Sequence, residues 1–339
     1  MRNFNTYISI VLFLTIVGCG NERLDVDVSE TIVPELTVNR LEQDIFKMDT
    51  TDIAKSTKEL QAKYGRFYST FISVILNNGG LRDSSYAFRM KSFIRDFYMK
   101  KAYDDTQKKY PNTDFIKDNL KEAYKYFNYH FPNRSLPQPI TMISGFNYSV
   151  VVADSTLAIG IETYLGSENE FYTGLGVPKY KSMFMNQENM IPDAIRQWML
   201  IEFPNNMNKN DFLSEIVYMG KIMYLTDALL PNVPDSLKIQ YSKAQMDYCT
   251  QNEFNVWSYF AAKKMLYTTD QAEIIKFTSD GPFTSALSKE APSRIGHWIG
   301  WQLVRQYMNN NPETSLQSLI NETDAQTVLT KSKYKPGKQ

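Results

Sequence analysis

The sequence predicts a mainly α-helical (α+β) protein with one small antiparallel β-sheet or hairpin near residues 139–161. Three observations carry this prediction. Apolar side chains recur at helical spacing over most of the chain, β-branched residues cluster in a single stretch, and short polar turns punctuate that stretch. With 43% apolar and 22% charged residues the chain belongs among globular proteins, and 339 residues suffice for one domain with a sizeable core.

The helical elements follow in order. Leu41, Ile45 and Phe46 share one face of a first helix. Leu60, Tyr64, Phe67, Tyr68, Phe71, Ile72 and Ile75 continue the spacing until Asn77-Asn78-Gly79-Gly80 breaks it. A helix is predicted over 86–103 and another from Phe115 to His130, which Pro132 stops. The period then changes. Ile140 to Ile143, Tyr148 to Ala153 and Thr156 to Ile161 read as strands, with a turn at Asp154-Ser155. The chain returns to helix until about Leu329. Thr250-Gln-Asn-Glu253 and Thr268-Thr-Asp-Gln271 have the spacing of capping boxes, and Asn311-Pro312 places a cap before a proline. This organisation gives a single globular domain over 37–331 and a frayed tail over 332–339.

The N-terminus stands apart. A short apolar segment, Tyr7 to Val17, follows Met1-Arg2-Asn3 and ends in Ile16-Val17-Gly18-Cys19, the pattern of a bacterial lipobox. The segment is too short for a membrane span, which needs roughly 20 residues. The expectation is a signal peptide over 1–18, lipid on Cys19 and an acidic tether over 19–36. Gly20, rather than Asp, after the lipidated residue points to the outer membrane of the cell envelope. Cys249 is then the one cysteine left, read as a small buried hydrophobe. Lys+Arg and Asp+Glu balance at 37 each, which argues against nucleic acid as a partner.

Few residue sets suggest chemistry. The two histidines, His130 and His297, belong to no HExxH helix, and no nucleophile elbow, phosphate loop or dinucleotide fingerprint is present, so no cofactor or metal is expected. His130, near a helix C-terminus, suits an imidazolium facing the partial negative charge there. The densest motif runs from Ala291 to Met308. Glycine inside a helix costs about 1 kcal/mol relative to alanine. Gly296 and Gly300 lie four apart on one face and so predict close approach of another backbone, flanked by Trp298 and Trp301. In a second stretch, Leu213, Ile216, Val217, Gly220 and Tyr224 form a stripe, with Glu215, Lys221 and Asp227 able to reach a cleft. Asp227 and Glu253 could pair as acid and base.

The lipobox, Gly160-Ile-Glu-Thr-Tyr-Leu-Gly166, Gly220-Lys221 with Tyr224, Asp227 and Pro231, Asn252-Glu253 with Trp257, Gly281-Pro-Phe283, and the stretch holding Arg294, Gly296, His297 and Gly300 together resemble the gliding-motility lipoprotein family GldB of Bacteroidetes. The resemblance covers about residues 38–319. It implies a lipid-anchored envelope protein required for surface gliding, acting without catalysis through other envelope proteins of the motility machinery. The family is in turn similar to zincin-like metallopeptidases. Here the helix after the strands, Ile191 to Phe203, has no histidine, and Met219 precedes Gly220 where those relatives carry glutamate. A thioether does not replace a carboxylate on zinc, so the resemblance implies a scaffold without its metal site. A residual hydrolase and a surface glycan-binding lipoprotein, the latter suggested by 22 Tyr, 20 Phe and 4 Trp, are the competing expectations.

Overall fold

The computed structural model describes residues 22–24 and 26–337. Cys19, the lipobox and the signal segment lie outside the described residues. A first group of helices comprises α1 (Leu41–Phe46), α2 (Ile53–Tyr64), α3 (Arg66–Thr70), α4 (Tyr86–Arg95), α5 (Phe97–Lys109) and α6 (Asp114–His130). A single π-helical turn, Phe71–Ile75, extends α3. The helix predicted over 86–103 is two helices, because the Asp96 side chain caps Met99 N and starts α5 afresh.

Four strands make one sheet: β1 (Asn39–Arg40), β2 (Gln138–Met142), β3 (Val150–Ala153) and β4 (Thr156–Gly160), in the order β1-β2-β4-β3. The antiparallel expectation holds for β3 and β4 alone. Their turn is Asp154-Ser155, both with positive φ (49° and 58°), the geometry that matches the twist of a tight hairpin. β2 pairs with β4 in parallel, and β1 pairs with β2 in parallel, so the sheet is mixed. The reason is that residues 143–149 carry the chain past the β4 position to the edge, and the hairpin then brings β4 back between β3 and β2. β4 is buried throughout. Leu157 and Ile159 face the main core, while Ala158, with Ile140 and Met142 of β2, faces a second core under α1 to α4. The sheet therefore lies between two helical layers.

The second helical group comprises α7 (Glu170–Gly174), α8 (Lys179–Ser182), α9 (Gln187–Glu202), α10 (Phe212–Leu229), α11 (Asp235–Ile239), α12 (Lys243–Ala262), α13 (Gln271–Thr278), α14 (Ile295–Asn310), α15 (Leu316–Asn321) and α16 (Ala325–Ser332). α10 is buried on nearly every side and forms the axis of the main core. α14 lies directly against it. A Cβ on Gly300 would collide with the Ile216 backbone carbonyl, and one on Gly220 would collide with the Gly300 carbonyl. At Gly296 a Cβ would come 3.0 Å from the Phe277 carbonyl oxygen. The predicted close approach is thus a seam of two backbones, and glycine is the residue that permits it.

Several local expectations change. α12 starts at Lys243, seven residues before Thr250, with a capping box formed by Ser242 and Gln245, so Glu253 and Cys249 sit inside that helix. Asp270, rather than Thr268, caps α13. No helix starts at Pro312; Ser315 caps α15. The segment read as a tether is partly packed, since Leu24 and Val28 are buried in the main core and Arg23 donates to the carbonyls of Met308, Asn311 and Thr314. The tail is packed as far as Tyr334, which is buried against Trp257 and donates to Glu253. In both ends the polar composition concealed apolar side chains whose burial is worth roughly 1.5–3 kcal/mol each. His130 ends α6 as predicted, but burial presses its pKa down to about 4, so it is neutral rather than an imidazolium.

Candidate functional site

A cleft between the sheet's loops and the second helical group has a volume of about 360 Å³. Its walls come from the loop before β3 (Phe146, Asn147, Ser149), the turn after β4 (Thr163, Tyr164), α8 and its exit (Tyr180, Lys181, Phe184), α9 (Asp193), the α11–α12 corner (Gln240, Gln245) and the segment leading into α14 (Asp280, Ser293, Arg294).

Asp193 is the most tightly held group in the cleft. Both its oxygens accept from Gln240 Nε2, at 2.7 and 2.8 Å, and Arg196 Nη2 donates to Oδ1 at 2.9 Å. Tyr164 donates to Oδ2 at 3.2 Å. Burial raises the pKa of Asp193, and Arg196 opposes that rise. Asp193 and Arg196 are three apart on α9, so one helix face supplies both. Arg196 also donates to the Lys238 carbonyl at 2.6 Å, which ties α9 to α11.

Arg294 is held more loosely. Its Nη2 donates to the Ile239 carbonyl at 3.1 Å, and Asp280 Oδ1 lies 3.7 Å from Nε, beyond hydrogen-bond length. Nε is closed to solvent and has no hydrogen-bond partner among the described residues. The residue is the N-cap of α14 in a left-handed conformation, φ 57°, with no side-chain cap. His297, one turn into α14, is kept neutral. Burial, then Arg294 and Arg196, push its pKa down to about 3, and its nearest carboxylate, Glu215, is 3.9 Å away.

Below the cleft, Glu162 of the Gly160-to-Gly166 motif is fully buried. Its Oε1 accepts from Ser144 N at 2.7 Å, Ser144 Oγ at 2.6 Å and Phe146 N at 3.1 Å. Burial raises its pKa to about 7 against those hydrogen bonds. The carboxylate thereby organises the loop that forms one wall.

Of the residues and motifs singled out in the sequence, Arg294, Gly281, and Thr163 and Tyr164 of the Gly160-to-Gly166 motif line the cleft, and the others lie elsewhere. Gly296 and Gly300 belong to the seam. Asp227 is 3% exposed and accepts from Lys238 Nζ (2.9 Å), Trp301 Nε1 (2.8 Å), Arg305 Nε (2.8 Å) and Arg305 Nη2 (2.9 Å). Arg305 also binds Asp235, so α10, α11 and α14 are joined by one ion network rather than opening on a cleft. Lys221 is buried, donates to the Glu322 carbonyl, and has its pKa lowered to about 8 by burial. It secures the loop before α16. Tyr224 is buried on the same helix. Glu253 and Trp257 hold the tail through Tyr334, so Asp227 and Glu253 do not form an acid–base pair.

Asp193, Arg196, Gln240 and Lys181 were missed. The signal for two of them was available: a charged pair three apart on α9, a helix with Met190, Ile191, Ala194, Ile195 and Trp198 all buried. Among the described residues no group of three or more His, Cys, Asp or Glu could hold a metal ion, and no helix is long and apolar enough to cross a membrane.

Comparison with known proteins bears on the whole chain rather than on the cleft. No curated protein and no solved structure matched it. The family described as gliding motility protein GldB matches residues 21–336, which include the seam, the ion network and every wall of the cleft. The chain therefore belongs to the GldB family of gliding motility proteins.

Proposed function

We propose that this protein is a lipid-anchored component of the cell envelope, attached at Cys19 to the outer membrane, that supports gliding through non-catalytic contacts with other proteins of the motility machinery. The observation that carries this reading is the family match over residues 21–336. The way the polar residues are used supports its non-catalytic part. Asp227 is committed to an ion network and Glu253 to the tail, while burial holds both histidines neutral. Asp227 and Glu253 are thereby committed to structural contacts, and the two histidines, with pKa values of about 4 and 3, lie below the range that acid–base work near neutral pH calls for. On this reading the body is a zincin-like scaffold without a metal site, and α9 carries no histidine.

A strain lacking the gene is expected to stop spreading and gliding on surfaces, and the intact gene is expected to restore both. Normal movement of the deletion strain would sink the proposal. Cys19→Ala is expected to yield a folded protein released from the membrane fraction that fails to restore gliding. Full rescue by that soluble form would show that the anchor is dispensable.

A further inference from the structure

We infer that one end of the body, formed by the C-terminus of α14, residues 311–318 and the end of α16, lies against the lipid headgroups of the membrane and leaves the cleft uncovered. The inference rests on the reading that Cys19 carries lipid.

The hold on the N-terminal segment sets the contact. Arg23 donates from Nη1 to the carbonyls of Met308 and Asn311 and from Nη2 to that of Thr314, and Leu24 is buried in the main core. The last carbonyls of a helix lack partners within it and carry partial negative charge, so a guanidinium suits the end of α14 on both counts. Cys19 lies four residues before Arg23. Four residues reach about 14 Å when fully extended. The headgroup layer takes up roughly 5–8 Å of that reach. A chain of this length folds to a radius of gyration of about 20 Å. The lead is thus shorter than the radius of the body, which cannot turn another face to a bilayer that holds Cys19.

The surface at that end fits a headgroup layer. Asn310 Nδ2 donates to the Ser332 carbonyl at 2.6 Å and Asn311 Nδ2 to the Lys331 carbonyl at 3.2 Å, which brings the end of α16 beside the end of α14. Lys331, Lys333 and Lys335 are exposed there. Residues 309–318 expose no large apolar side chain, and Glu313 is their one charged residue. Insertion into hydrocarbon is driven by buried apolar area, so this surface rests on the headgroups without entering the bilayer. Glu313, with Glu22 and Asp25 flanking Arg23 in the sequence, offsets the three lysines. Reach, rather than charge, therefore holds the contact. The cleft is at the other end of the same helix. Arg294 lines it as the N-cap of α14, and Met308 lies about 21 Å further along the axis.

The test is lysine labelling of the native, lipidated protein on phosphatidylcholine vesicles with a water-soluble amine reagent, read by mass spectrometry. The reference is a variant with about 12 Gly and Ser residues inserted after Gly20, which adds roughly 19 Å of mean reach. On the vesicle-bound native protein Lys331, Lys333 and Lys335 are expected to lose most of the labelling they show in the insertion variant. Lys181, half exposed at the cleft, should label equally in both. Equal labelling of the three lysines in the two proteins, or protection of Lys181 in their place, would overturn the inference. Flotation with the vesicles separates the two readings. A protein that floats and labels uniformly removes the membrane-facing end and keeps the anchor. A native protein that does not float, with an unmodified mass at Cys19, removes both.

Discussion

Along α14, Gly300 brings two backbones into contact, whereas Arg294, at the head of the same helix, holds a charge beside open space. The seam is made by omission: where Gly220 and Gly300 face each other's helix, a single added carbon on either has no room. The cleft is made by addition, with polar side chains from six separate segments converging on one volume. The contrast teaches how differently the two tolerate change. A close-packed seam has no slack, because protein interiors pack like organic crystals. A solvated cleft can lose a side chain and keep its walls.

The largest effect is expected at the ion network that closes the far end of the seam. Asp227→Ala removes the carboxylate closest to buried Lys238 and leaves Asp235 alone to face both Lys238 and the partly buried Arg305, and should cost about 3–5 kcal/mol. Chemical denaturation reads this directly. A loss below about 1 kcal/mol would mean that the network contributes little and the helices hold by apolar packing alone. Gly300→Ala comes next, at about 3 kcal/mol, the upper end of overpacking costs, because the obstructing atom is the Ile216 carbonyl and not a flexible side chain. If that variant unfolds at the wild-type midpoint, the seam has slack and the comparison fails.

Glu162 tests the wall of the cleft through pH. Its carboxyl ionises near pH 7 in the folded protein and near 4.5 when free, so the unfolded chain releases the proton first. This contribution to stability is complete below pH 4.5 and falls away as pH rises through 7, by roughly 3 kcal/mol in total. Glu162→Gln cannot titrate. The stability difference between the two proteins should therefore change with pH across that interval, and a constant difference would remove Glu162 from the account. The smallest stability effect belongs to Arg294→Gly, where relief of the left-handed backbone offsets the lost bond to Ile239.

The two regions also differ in how far they could be read in advance. Gly296 and Gly300, four residues apart on an apolar stripe, announce a close helix contact because the signal is local and the penalty for glycine in a helix needs a reason. The hairpin at Asp154-Ser155 is equally local. By contrast, Asp227 and Glu253 were visible as charged residues on apolar helices, yet nothing near them in the chain reveals their partners. Arg305 is 78 positions from Asp227 and Tyr334 is 81 from Glu253. The same limit hid the cleft, since Asp193 meets Gln240 across 47 positions.

What the amino-acid order determined alone is the set of elements: helices from apolar periodicity, strands from β-branched runs, the seam from glycine spacing, and family membership from the sum of its motifs. Those signals lie within one or two turns of chain, where backbone geometry restricts the choices. Only the tertiary structure decided the parallel pairing of β2 with β4, the packing of Leu24, Val28 and Tyr334, and which charges are buried in pairs and which face the cleft. These depend on contacts between distant segments. The free energy of a buried charge is set by the groups packed around it, and residue type and sequence neighbours do not specify those groups.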